Sequence, residues 1–125
     1  MSQFTLISAV IDFSAQCTPA ELAVVSKERT VSANPIHTTT WNHYTDPSGQ
    51  FFAGIWASDV GAMKVSYTEE ELCVILEGKV KLTASDETSV EFGPGSMFVI
   101  PAGFQGVWET LEPVKKMYTI WQAKI

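Results

Sequence analysis

The chain has 125 residues, 46% of them hydrophobic and 18% charged, with a formal net charge of −6. That is one domain, long enough to bury a core and too apolar to be disordered. The acidic balance and the lack of a basic cluster disfavour nucleic acid and anionic membranes as partners. No apolar run approaches the roughly 18 residues that span a bilayer.

The start, Met1-Ser2-Gln3-Phe4, lacks the basic stretch of a signal peptide, so a soluble cytoplasmic protein is expected. Cys17 and Cys73 are expected as two reduced thiols. The apolar segment Phe4 to Phe13 is expected to pair with a sheet edge or with a second subunit. Thr18-Pro19-Ala20-Glu21 reads as a capping box with Pro at the first helical position. It predicts a short helix from Pro19 to about Glu28, with Leu22 and Val25 facing inward. Residues 30–40 read as an extended connector, so residues 1–40 form an N-terminal arm and 41–125 the main domain.

Strands are predicted at Trp41–Tyr44, Phe51–Ser58 and Met63–Thr68, separated by the turns Asp46-Pro47-Ser48-Gly49 and Asp59-Val60-Gly61. Leu72–Leu76 and Val80–Ala84 read as a hairpin across Glu77-Gly78-Lys79. Val90–Phe92, Met97–Ile100, Gln105–Thr110 and Met117–Trp121 complete the set. Short strands at this spacing indicate an all-β sandwich or barrel.

Two spacings say more. Glu71, six residues and Gly78 follow one pattern; Gly95, five residues, Pro101, one residue and Gly103 follow another. These are the back half of the first cupin motif and the front half of the second. From about Trp41 onward the chain resembles the cupin superfamily, in particular the small cupins of the (S)-ureidoglycine aminohydrolase cupin-domain type. The resemblance implies a double-stranded β-helix, or jelly-roll barrel, and a homodimer. It also implies a metal held by two His and a Glu from the first motif and a third His from the second. Here the Glu is Glu71. The paired His positions fall on Lys64 and Ser66, or on Val65 and Tyr67, and the last on Gly106. None is His, so no metal cofactor is expected. The alternative is an irregular divalent site in which Glu71 joins Glu69 or Tyr67 and an upstream His37 or His43.

Strand alternation puts Glu71, Cys73 and Ile75 on one inward face, and Phe104, Gly106, Trp108 and Thr110 on another. A carboxylate at such a mouth loses hydration, which favours its neutral form when no metal stands beside it. Two readings of the mouth compete. In one, Trp56, Cys73, Phe104 and Trp108 line a small-molecule site, with Glu71, Tyr67 and Lys64 as candidate acid–base groups. In the other, the aromatic residues are core packing. The functional expectation is a small-molecule-binding cupin of unassigned substrate. The alternative is a non-catalytic accessory or sensor domain acting through dimerisation or a protein partner.

Overall fold

The computed structural model describes residues 10–15 and 17–124, and strands carry nearly all of its regular structure. They are β1 (Glu21–Val24), β2 (His37–Thr45), β3 (Phe51–Ser58), β4 (Gly61–Ser66), β5 (Glu70–Ala84), β6 (Ser89–Phe92), β7 (Met97–Ile100) and β8 (Gln105–Trp121). A 3₁₀ turn at Phe13–Ala15 is the one helical piece among the described residues. The all-β expectation therefore holds. Among the described residues, no helix is long and apolar enough to cross a membrane. Of the segment Phe4 to Phe13 expected to pair with a sheet edge or a second subunit, residues 4–9 lie outside the described residues.

All pairings are antiparallel, in the order β1-β2-β3-β8-β5-β6, with β4 added on β8 and β7 on β5. The long strands β5 and β8 run side by side and organise the rest. Glu70 to Ile75 of β5 pairs with Lys116 to Trp121 of β8, and Val80 to Ala84 pairs with Gly106 to Thr110. Between these stretches the register shifts repeatedly, from Ile75 to Val80. Such bulges bend a strand. The sheet thus folds over at one place, and its halves face each other. Trp56 of β3, carried by the C-terminal half of β8, meets Trp108 of the N-terminal half edge-on, ring centroids 5.5 Å apart. Between the halves lies the core of Ile36, Cys73, Ile75, Val80, Ile100, Trp108 and Val114.

Gly78 makes the bend possible. Its φ is +86°, and a Cβ there would run into the carbonyl oxygen of Pro113 on the facing strand. Only a glycine fits both demands. On the β7 side of β5, just before the bend, the backbone groups of Ile75 pair with the β6–β7 turn. Its N–H donates to the Ser96 carbonyl (2.9 Å), and its carbonyl accepts from Gly95 N–H (2.8 Å). Glu77-Gly78-Lys79 is therefore the corner of one continuous strand, and the predicted hairpin is corrected. Gln105–Thr110 and Met117–Trp121 are likewise one strand.

The predicted helix at Pro19–Glu28 is also overturned. Glu21–Val24 is β1, paired with Thr40 to His37. Local capping signals are weak against a ladder of backbone bonds on a ready sheet edge. The Thr18 hydroxyl, expected at a helix N-terminus, instead meets His43 Nδ1 at 2.8 Å. Leu22 points outward and is exposed, while Val25 packs on the core as expected. β2 begins at His37, so residues 40 and 41 sit inside a single strand.

A glycine series tests the corner. Gly78→Ala should lose about 1–3 kcal/mol to backbone strain, and more from its collision with Pro113. Gly95→Ala, at φ +89° with nothing within 4 Å, should show the strain alone. Gly93→Ala, with no positive φ and open space, should stay within about 0.5 kcal/mol of wild type. Urea midpoints decide the order, and equal losses at Gly78 and Gly93 would refute the corner's role.

Candidate functional site

Alternation along the bent strands sends one set of side chains into the space between the layers. From β5 come Glu71 and Cys73, 5% and 0% exposed; from β8 come Lys116 and Tyr118, each 5% exposed. Trp56 enters from β3, Asn42 from β2, Met63 and Val65 from β4, and Trp108 from the first half of β8. With Tyr67 these residues, Cys73 excepted, line a cavity of about 620 Å³ whose rim carries Glu21, Arg29, Glu69 and Gln122.

At its floor is an ion pair. Lys116 Nζ lies 2.7 Å from Glu71 Oε2. The same oxygen accepts from the Cys73 thiol at 3.4 Å, and the ammonium also reaches Cys73 Sγ at 3.8 Å. The rings of Trp108 and Trp56 cover the rest of the ammonium, with centroids 4.4 and 4.7 Å away. Both indoles thus offer a cation their π faces in a site shielded from water. Trp108 Nε1 donates to Thr110 Oγ1 at 3.0 Å, so its polar edge is satisfied.

Burial alone would strip the proton from Lys116, but the Glu71 carboxylate, helped by Cys73 and Tyr67, reverses this and holds its pKa above the ordinary lysine range. Burial pushes the Cys73 thiol up to about 12, with the Glu71 charge adding to it against Lys116. Tyr67 is raised as well, first by burial, and Tyr118 is pushed up to about 12 by burial and then by Glu71. Around neutral pH the cavity therefore presents one fixed ammonium and two intact phenols, with an intact thiol beneath Glu71. Tyr118 donates its proton to Asn42 Oδ1 at 2.7 Å.

The structure brings Glu71, Tyr67, Trp56 and Trp108 together as expected. Three assignments change. Lys64 is exposed on the outer side of β4, between the inward Met63 and Val65, and does not line the cavity. Cys73 lies beneath Glu71, sealed from the cavity. Phe104 packs edge-on against Tyr67, centroids 6.3 Å apart, and lines a separate, mostly apolar cavity of about 350 Å³. The carboxylate expected at the mouth without a metal has the Lys116 ammonium beside it. The predicted strand begins at Met117 and leaves Lys116 out; alternation carried two residues back from Tyr118 lands on it.

The residues present do not fit a cupin metal. Of the inward ligand positions, Val65 and Gly106 carry no donor atom. Among the described residues, no three His, Cys, Asp or Glu stand close enough to hold an ion. His43 stacks on Phe13 outside the barrel, and His37 pairs with Asp59 at 3.2 Å, so neither reaches the cavity.

Comparison with known proteins finds the same architecture. A family model described as a EutQ-like cupin domain matches residues 45–118. No curated protein matches the chain. The EutQ protein of Clostridium difficile superposes with a TM-score of 0.65 at 16% identity, over 82% of this chain and 75% of its own. A DUF861-family protein of unknown function from Pseudomonas syringae pv. tomato reaches a TM-score of 0.74 at 18% identity, over 85% of this chain and 45% of its own. A DUF861-family protein from Thermotoga maritima is 38% identical over 51% of this chain and 73% of its own, with a TM-score of 0.50. At 16% and 18% identity the first two likenesses speak to the fold alone.

The ion pair generates a prediction. Lys116→Ala leaves a buried carboxylate without its cation and should cost about 3–5 kcal/mol, a large part of a small domain's stability. Pairing Lys116→Met with Glu71→Leu should recover most of that loss, because an apolar pair removes both charges. Denaturant midpoints of the single and double variants measure the coupling, and a Lys116→Ala loss under about 1 kcal/mol would mean that water already compensates Glu71.

Proposed function

Because the chain belongs to the EutQ-like cupin family, we propose that it binds a small molecule in the barrel cavity, against Glu71 and Tyr67, with no metal ion between protein and ligand. The observation that carries this reading is the free polar surface at the cavity floor. Neither Glu71 Oε1 nor the Tyr67 hydroxyl has a hydrogen-bond partner among the described residues, yet none of their fully buried side-chain polar atoms is left unsatisfied. Both atoms therefore keep access to the cavity. A mouth plugged by aromatic packing would have closed it. Trp56 and Trp108 serve as walls, and any turnover would draw on Glu71, with the Tyr67 phenol as a hydrogen-bond donor. The resemblance to the ureidoglycine-aminohydrolase type does not bring that activity with it, since the family's metal ligands are missing here.

The test is a thermal-shift screen of small metabolites on wild type and Glu71→Gln. Some compounds should raise the Tm of wild type and raise that of the variant less. Hits that stabilise both equally would move the site elsewhere. Metal analysis of the same protein, purified without chelator, should find far less than one equivalent; a full equivalent lost on Glu71→Ala would defeat the metal-free reading.

A second reading, an assembly or sensor domain working through a homodimer, is favoured by the outer sheet face. There Leu72, Met97, Val99 and Trp121 stand exposed on the neighbouring strands β5, β7 and β8, a patch of the kind that marks protein contacts. The two readings are compatible. Sedimentation at micromolar concentration should give a dimer for wild type and a monomer for Leu72→Asp/Met97→Asp. A monomeric wild type removes the second reading.

A further inference from the structure

We infer that the cavity takes a small molecule carrying a protonated amine, whose ammonium docks on the free oxygen of Glu71, and that Lys116 is the positioning residue that keeps that oxygen in place. The inference rests on the cavity reading above and goes further, to the class of ligand.

Glu71 divides its two oxygens between the protein and the cavity. Oε2 takes Lys116 at 2.7 Å and the Cys73 thiol at 3.4 Å. Oε1 takes nothing among the described residues, although the residue is only 5% exposed. A carboxylate oxygen with no protein partner, open to a cavity, is an acceptor that a donor from outside can take in place of water. A charged donor meets it best.

The buried cation has no comparable vacancy. The Lys116 ammonium is spent on Glu71, on Cys73 and on the two indole faces. At the rim, Arg29 Nε donates to the Lys64 carbonyl at 3.2 Å and its Nη2 contacts Met63 Sδ at 3.7 Å. An incoming anion would find the buried ammonium engaged, with open guanidinium donors only at the rim, and would face Glu21, Glu69 and Glu71. The ionised lining groups comprise these three carboxylates against Lys116 and Arg29, leaving one negative charge over. A monocation balances it, and an anion doubles it. Behind the docking point, Phe52, Met63, Val65 and Ile120 offer apolar wall to a short carbon chain. The Tyr67 phenol keeps its proton and can bond an acceptor on the same molecule.

Two probes of matched shape and opposite charge test this: n-butylammonium chloride and sodium butyrate. Each is titrated at neutral pH and constant ionic strength into ¹⁵N-labelled protein, and the indole N–H resonances of Trp56 and Trp108 are followed. Butylammonium should shift both saturably and butyrate should not. In Glu71→Gln, whose amide oxygen can still accept from Lys116, butylammonium binding should weaken roughly tenfold or more, as expected for loss of a charge-assisted bond. The probe contrast in wild type stands even where that variant folds poorly. Butyrate shifting the indoles as strongly as butylammonium, or more so, would overturn the ligand class and leave the cavity reading intact. Unchanged butylammonium affinity in a folded Glu71→Gln would overturn the docking point. Silence from both probes would overturn the inference, and the wider metabolite screen then decides the cavity reading separately.

Discussion

The constraint on which the fold depends is that β5 and β8 remain paired while both turn a corner. Two long antiparallel strands can fold over together only if they bend at matching points, and the bend lies where Gly78 faces Pro113. Backbone, not side chain, fills that contact. Everything attached to the two strands then falls into one of two facing layers. β3 and β7 join the first layer, and β4 and β6 the second. The surface ion pairs at the corner, Lys115 with Glu77 at 3.7 Å and Lys79 with Glu112 at 4.0 Å, are exposed and contribute little.

The corner also determines what the cavity can contain. Folding β8 back brings Trp108 over the stretch that carries Lys116, so a single strand supplies both the ammonium and one of its aromatic covers. β5 supplies the counter-charge, and β3 the other indole. A buried ion pair is weak evidence of net stability, since two charges must leave water for it. Its contribution here is to specificity: a slip of β8 by one residue would turn Lys116 outward and strand Glu71 between the layers. Register and site thus enforce each other.

Much of this was legible in the sequence, with identifiable gaps. Strands β3 and β7 lie where the Gly and Pro punctuation put them, and Glu71, Cys73 and Ile75 share the inward face that alternation assigned. The gaps come from non-local causes. Glu77-Gly78-Lys79 carries the same turn chemistry as a hairpin, and only the presence of β8 alongside makes it a corner. Thr18 to Glu21 satisfies the local rules for a helix start, but the β2 edge outbids them. Lys116 falls just outside the strand predicted from Met117, and its charge partner lies 45 residues away, on another strand. Burial of a charge is set by what the fold places beside it, and spacing along one strand does not report that.

The protonation pattern bears on whether the cavity binds or catalyses. General acid–base groups work best with pKa values near the working pH. The shifts here run the other way: Tyr118 and Cys73 are driven to about 12, Tyr67 is raised by burial, and Lys116 is held above its usual range. For each of these groups the folded state keeps its proton more tightly than the unfolded chain does. The stability they contribute is therefore present below their ordinary values and lost only as the pH rises into the strongly alkaline range. Across neutral pH none of the four changes charge. Such a set offers constant donors and a constant field, which suits recognition of a ligand by charge and shape. Proton transfer by a phenol or by the lysine would first have to overcome these shifts, so any chemistry in this cavity falls to Glu71 and to the groups that the ligand itself brings.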